Sequence, residues 1–337
     1  MNRGGHAARL LALAVLALVA SCGGEPGRSE RGPTQVGVVI KGLDNPYFAA
    51  MKQGVQAVAR ARRADVSVGA ATGLEDTAGQ ASKLEALIGQ GLDCYVVNPI
   101  SQSNLVRALS HVPEGAPIVN IDSPVGADLA RALGIEISTY IGTDNEAAGE
   151  LAADTMARFV DRGASVGVIG GISGDATSAA RIDGFRRGAR DRFEPLDPVT
   201  ADWDERKAML AAATLLHDDA RLQGFFAAND QMALGIARAV AGAGRKGAVA
   251  VVGVDGIGQA LEAVQRGAMS ATVSQYPYTI GKLGVEACLA AASGASLPRR
   301  VDAPIQVITK GNVARARSKF PQPVEPFNGP FAALLDG

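Results

Sequence analysis

Short apolar runs alternating with longer segments at helical spacing constrain this chain more than any other feature. The runs cover residues 36–40, 66–70, 95–97, 117–121, 166–169, 224–228, 249–254 and 271–274. Between them Phe48, Met51, Val55 and Val58 recur at steps of three and four, while Met232, Ile236 and Val240, like Leu151, Thr155 and Phe159, recur at steps of four. Brief runs without polar alternation read as strands buried on both faces of a parallel sheet, with the intervening helices covering it. There are too many such units for one small sheet. The expected fold is therefore α/β, with two doubly wound parallel-sheet lobes. A chain of 337 residues, 47% hydrophobic and 20% charged, is long enough for two domains.

The first residues follow another pattern. Arg3 and Arg9 precede an unbroken apolar stretch over 10–20, too short for the roughly 20 residues that span a bilayer and suited to a secretory signal. It ends in Val19-Ala20-Ser21-Cys22, which resembles the bacterial lipoprotein box. Residues 1–21 are expected to be a signal peptide and Cys22 the acylated new N-terminus, held to a membrane through its lipid only. Residues 22–33, rich in glycine, proline, serine and charge, read as a flexible tether. Without residues 1–21 the chain keeps 31 basic and 34 acidic residues, a balance of −3. No basic stripe marks a nucleic-acid binder. Cys94 and Cys288 both read as small buried apolar residues; a disulfide between them outside the cytoplasm stays open, although nothing in their spacing suggests one. His111, His217 and the two cysteines are scattered, so neither a metal nor another cofactor is expected.

In open parallel sheets ligands bind beyond the carboxyl ends of the strands. Asn98, Asp122, Asn229, Asp255 and Gln275 each follow an apolar run directly. Carboxylates accept hydrogen bonds, and amides donate and accept. Any one of the five could be only a turn former or helix cap, but together they suit a neutral, hydroxyl-rich ligand. In Asp44-Asn45-Pro46-Tyr47-Phe48, Pro46 suits the first helical position and Asn45 the N-cap. Tyr47 and Phe48 then fall in the first turn at the sheet edge. Trp203, the only tryptophan, lies between two aspartates and reads as a loop aromatic. Arg181, near a helix start, reads equally as a ligand donor or a surface charge.

These segments together resemble the ribose-binding-protein branch of periplasmic sugar-binding proteins over residues 34–313. The matches come in the family's order: Asn45-Pro46-Tyr47-Phe48, Asn98-Pro99, Ile121-Asp122, Thr143-Asp144-Asn145, Ser178-Ala179-Ala180-Arg181 with Gly184-Phe185, Asp202-Trp203-Asp204, Ala228-Asn229-Asp230 with Met232-Ala233-Leu234-Gly235, Val252-Gly253-Val254-Asp255-Gly256, and Gln275. The resemblance implies the type I periplasmic-binding-protein fold, two lobes joined by a three-crossover hinge. It places residues 34–142 plus 276–304 in an N-terminal lobe and 143–275 plus 305–315 in a C-terminal lobe. Residues 316–337, broken by prolines, are left as an irregular tail. It further implies that Tyr47 or Phe48 and Trp203 stack on a sugar ring, that Asp122, Asn229, Asp255 and Gln275 bind hydroxyls, and that Arg181 donates to oxygens, with Asn45 in the same first-lobe segment. Where the ribose type has an arginine after the first-lobe aspartate, this chain has Ser123. One strong donor is lost there, and the stretch over 124–138 looks longer than usual, so the ligand is not narrowed to ribose.

The implied function is an extracytoplasmic, monomeric binding lipoprotein that delivers a monosaccharide or polyol to an ABC permease. A sensor presenting its ligand to a receptor has the same sequence features. Asp122 and Asp255 could form a glycosidase pair, but no second pattern marks a leaving-group acid, so no enzyme is expected. Gly170-Gly171-Ile172-Ser173-Gly174 lacks the spacing of a dinucleotide loop.

Overall fold

A computed structural model describes residues 32–336; the signal-peptide reading and Cys22 lie outside them. The first half comprises β1 (Gln35–Ile40), α1 (Pro46–Arg62), β2 (Asp65–Ala70), α2 (Thr77–Ile88), β3 (Cys94–Val97), α3 (Val106–Leu109), β4 (Ile118–Ile121), α4 (Ala127–Ala132) and β5 (Thr139–Gly142). Then come α5 (Asn145–Met156), β6 (Ser165–Gly170), α6 (Ala176–Ala189), β7 (Glu194–Pro195), β8 (Val199–Thr200), α7 (Glu205–Asp218), β9 (Gly224–Ala227), α8 (Asp230–Gly242), β10 (Ala250–Asp255), α9 (Gly258–Gln265) and β11 (Ala271–Ser274). The chain ends with α10 (Pro277–Ala292), β12 (Arg300–Asp302), β13 (Gln306–Thr309), α11 (Val313–Lys319) and α12 (Phe331–Leu335).

One sheet runs β12-β5-β4-β3-β1-β2 and is parallel throughout. The other runs β13-β11-β10-β9-β6-β7, with β8 also on β6 and only β13 antiparallel. The inner strands are the apolar runs; Cys94–Val97 and Ile118–Ile121 are wholly buried. In each sheet the order reverses beside the first strand of the lobe, opening a crevice at the strands' carboxyl ends. β5, β12 and β13 were not visible as apolar runs. They are short, and Tyr140, Arg300, Asp302 and Gln306 interrupt them.

The helices take their starts from the sequence. Asn45 caps α1, its side chain accepting from Tyr47 N, with Pro46 in the first turn; Phe48, Met51, Val55 and Val58 form the buried face. The helix expected through Phe159 stops at Met156 and buries Ala148, Ala152, Thr155 and Met156 instead, leaving Phe159 exposed.

The chain passes from the first sheet to the second after β5, returns through α10 and β12, and crosses again into β13. One pairing that the sequence leaves open is decided here, and one expectation is corrected. Cys94 and Cys288 form a disulfide, with Cα atoms 5.8 Å apart. α10 packs on β3, so residues 194 apart in sequence meet across a strand–helix contact that linear spacing does not reveal. The tail is not simply irregular. α11 packs on α9 and β13, whereas α12 packs on α10, carrying the chain back to the first lobe. Val324 and Phe331 are buried, and Arg62 of α1 pairs with Asp336. Phe331 supplies the apolar contact that the surrounding prolines obscure.

Candidate functional site

The two crevices face each other across one cleft of about 440 Å³, its open mouth included. Asn45, Tyr47, Phe48, Asp122 and Ser123 line it from the first lobe, and Arg181, Trp203, Asn229 and Asp255 from the second. Gln275, at the crossing after β11, does not line the cleft but touches two residues that do. Its Nε2 donates to Asp255 Oδ1 at 2.7 Å, and its Oε1 lies 3.4 Å from the Tyr47 hydroxyl. Asn98 stays out of the site; it is fully buried, its Nδ2 against Met51 Sδ.

The capping asparagines serve the cleft as well. Asn45 Oδ1 accepts from Tyr47 N and Asn229 Oδ1 from Met232 N, each at 2.9 Å. Each cap uses only the carbonyl oxygen, so an amide NH₂ from each lobe makes no hydrogen bond among the described residues. The two aspartates hold unusual backbone. Asp122 has φ 61° and Asp255 φ 133°, conformations that non-glycine residues adopt when their surroundings enforce them.

Asp122 accepts from the Tyr47 hydroxyl at 2.9 Å, and Ser123 Oγ lies 3.4 Å from its other oxygen. Burial, followed by the Asp122 carboxylate, holds the Tyr47 hydroxyl well above its ordinary pKa, so it remains a donor. The Tyr47 ring meets Phe48 edge-on at 85°. Tyr47 thus engages polar partners, while Phe48 is left as the flatter wall.

Arg181 is buried in the second turn of α6, which settles its placement against a surface charge. Nη1 donates to Ala228 O at 2.6 Å and Asp255 Oδ1 at 3.3 Å, and Nε to Asn145 Oδ1 at 2.9 Å. Nη2 makes no hydrogen bond among the described residues. Consecutive left-handed residues, Asp202 and Trp203, turn the indole into the cleft. It packs on Gly171, where an added Cβ would come within 2.2 Å of the ring. The Arg181 guanidinium lies 5.9 Å from the indole centroid.

Sequence reasoning missed Lys41, Leu74, Asp175 and Thr177, which also line the cleft. Lys41 was within reach of the rule that found the others, because it directly follows β1. It is buried; its Nζ donates to Ser123 Oγ at 2.6 Å and lies 3.7 Å from Asp122. Asp175 caps α6 through Ser178 N.

The site therefore offers donors from Lys41, Asn45, Arg181 and Asn229, acceptors from Asp122 and Asp255, and aromatic walls from Phe48 and Trp203. Hydroxyl groups, which donate and accept, complement that set. The cations are already matched by carboxylates, which disfavours a phosphate. Among the described residues no cluster of histidine, cysteine and acidic side chains could hold a metal.

Two α/β lobes, three crossing segments and a polar cleft between them define a ligand-capture protein of the hinge-closing class. The chain belongs to the periplasmic binding protein domain family, whose model matches residues 36–296. It is 31% identical over 276 residues to a ribose import binding protein of Bacillus subtilis, covering 82% of this chain and 87% of that one. It is 33% identical over 268 residues to a D-allose-binding periplasmic protein of Escherichia coli, covering 77% and 86%. Among solved structures, an ABC transporter periplasmic solute binding protein from Actinobacillus succinogenes with bound D-allose superposes with a TM-score of 0.80. It is 28% identical, and the match covers 83% of this chain and 99% of that one. These relatives are named for binding and import rather than catalysis, and the family resides outside the cytoplasm.

Proposed function

We propose that this protein captures a monosaccharide or polyol between its lobes and delivers it to an ABC permease. The observation that carries this reading is the cleft itself, where polar groups of both lobes surround a space walled by Phe48 and Trp203. A ligand that touches both lobes only when they are together shifts the population toward closure by its differential affinity. The permease reads the closed form. D-allose and D-ribose, named for the relatives, are the first candidates, and the Lys41–Ser123 pair favours a ligand presenting a hydroxyl toward β1. Acylation of Cys22 would hold the monomeric protein at the membrane surface while leaving the lobes free.

The test is calorimetric titration of residues 23–337 with a panel of pentoses, hexoses and polyols, while following Trp203 fluorescence. Saturable heat with a fluorescence change for at least one member is expected. A panel that gives no binding would overturn the sugar reading, and tight binding with unchanged fluorescence would remove Trp203 from the ring-facing wall. For the anchor, the mass of the N-terminal peptide from the membrane-associated protein should carry acyl chains on Cys22. An unmodified peptide there would defeat it.

A further inference from the structure

We infer that Asp230 is a positioning residue for the ligand site, holding the turn from which Asp255 reaches the cleft; this rests on the sugar-capture reading above. Asp230 opens α8, is fully buried and does not line the cleft. Its Oδ2 accepts from Gly256 N at 2.6 Å and from Ile257 N at 3.0 Å. Its Oδ1 accepts from the Thr272 hydroxyl at 2.7 Å. Thr272, wholly buried on β11, also lies with Oγ1 3.3 Å from Gly256 N.

One carboxylate thus ties together the start of α8, the turn after β10 and the middle of β11. The fit depends on Gly253, where an added Cβ would lie 2.3 Å from Asp230 Oδ1. A buried carboxylate is costly unless its lone pairs are used, and among the described residues no cation is in salt-bridge contact with this one. Burial raises its pKa, while the hydrogen bonds from Thr272, Ile257 and Gly256 work in the opposite direction. The bonds from Gly256 and Ile257 come from the two peptide groups that follow Asp255, the residue with φ 133°. An uncommon backbone conformation persists only where its surroundings over-determine it, and here Asp230 supplies that restraint. With the turn fixed, the Asp255 carboxylate meets Arg181 and Gln275 and faces the ligand space.

Two measurements test this, using D-allose and D-ribose as probes. The first is affinity by calorimetry for Thr272→Val, which keeps the branched shape and removes the hydroxyl, and for Asp230→Asn. Each should weaken binding about tenfold, the size of one hydrogen bond, and Thr272→Ser should restore wild-type affinity. In an Asp255→Asn background the same changes should cost less than about twofold, because the group they position is already altered. Equal losses in both backgrounds would mean a general structural effect and overturn the proposal, as would unchanged affinity. The second is amide hydrogen exchange of Gly256 and Ile257 in the unliganded protein. It should quicken about tenfold in Thr272→Val, the loss expected for one such bond. A wild-type protein that bound no sugar or polyol of the panel would fail the function above while this exchange still decides: unchanged protection overturns the role of Asp230.

Discussion

The Lys41 ammonium donates to the Ser123 hydroxyl at 2.6 Å. Ser123 stands where the resemblance to ribose binders places an arginine, so the first lobe loses a planar, five-donor fork. Lys41 returns a cation to the same corner from the end of β1, but as a compact charge on a flexible stem. The polarity of that corner is preserved while its geometry changes. This is the physical reason that the ligand need not be the ribose of the ribose-type site.

Lys41→Met should therefore weaken sugar binding by one charge-assisted hydrogen bond, roughly 1.5–3 kcal/mol or 10- to 150-fold. Ser123→Ala, which leaves the ammonium in place, should cost less. Calorimetry on the two variants checks the order. Unchanged affinity in Lys41→Met would show that the ammonium serves only Asp122 and Ser123.

Asp255 gives a pH signature with two opposite signs. Burial raises it from 3.8 to about 7; Arg181 opposes the shift, while the Asp230 and Asp122 carboxylates add to it. Between those values the folded protein holds a proton that the unfolded chain has released. The associated stability is thus present at low pH and lost as pH rises through about 7. The melting temperature of wild type minus that of Asp255→Asn should fall between pH 5 and pH 8. Sugar affinity should run the other way, weakening toward pH 5 as the acceptor is protonated. A melting difference that stays flat with pH would place Asp255 in the ordinary carboxylate range.

The disulfide joins β3 to α10 and so staples the first lobe's two sequence segments together. Closing so long a loop restricts the unfolded chain, and replacing both cysteines with alanine should cost about 2–4 kcal/mol of stability. A thiol titration of residues 23–337 in denaturant, without reductant, should find no free thiol. Two titratable thiols would show that the bond does not form.

The sequence made the alternating architecture legible because inner parallel strands are buried on both faces and show as plain apolar runs. The outer pieces were less visible. β12 is three residues long between charges, and β13 carries Gln306 and Thr309. Most of the cleft could be anticipated because strand-end position, not residue identity, brings Asp122, Asn229 and Asp255 to one place. Lys41 obeys the same positional rule, but lysines are mostly solvated, and its burial depends on contacts with Ser123 and Asp122 that position alone does not reveal. The pairing of Cys94 with Cys288 and the docking of Phe331 depend on contacts between distant segments, which carry no local periodicity.

The tail separates stability from binding. Phe331 is fully buried against the first lobe, while the Arg62–Asp336 pair is solvent-exposed. Phe331→Ala should cost about 3–5 kcal/mol, and Arg62→Ala about 0–1 kcal/mol, as exposed ion pairs do. Nearer the hinge the tail has another role. Phe320, Pro321, Gln322 and Val324 line a pocket together with Tyr47, Asp255 and Gln275, and Val324 N lies 3.5 Å from the Tyr276 hydroxyl. These residues back the site on the side away from the ligand. Deleting 326–337 should lower the melting temperature yet leave sugar affinity within about twofold, because that backing remains. Deleting 320–337 should also weaken binding, since solvent then reaches the far side of the Tyr47–Gln275–Asp255 network and competes for its hydrogen bonds. Equal affinity in the two truncations, measured by calorimetry well below both melting temperatures, would confine the tail to a purely stabilising role.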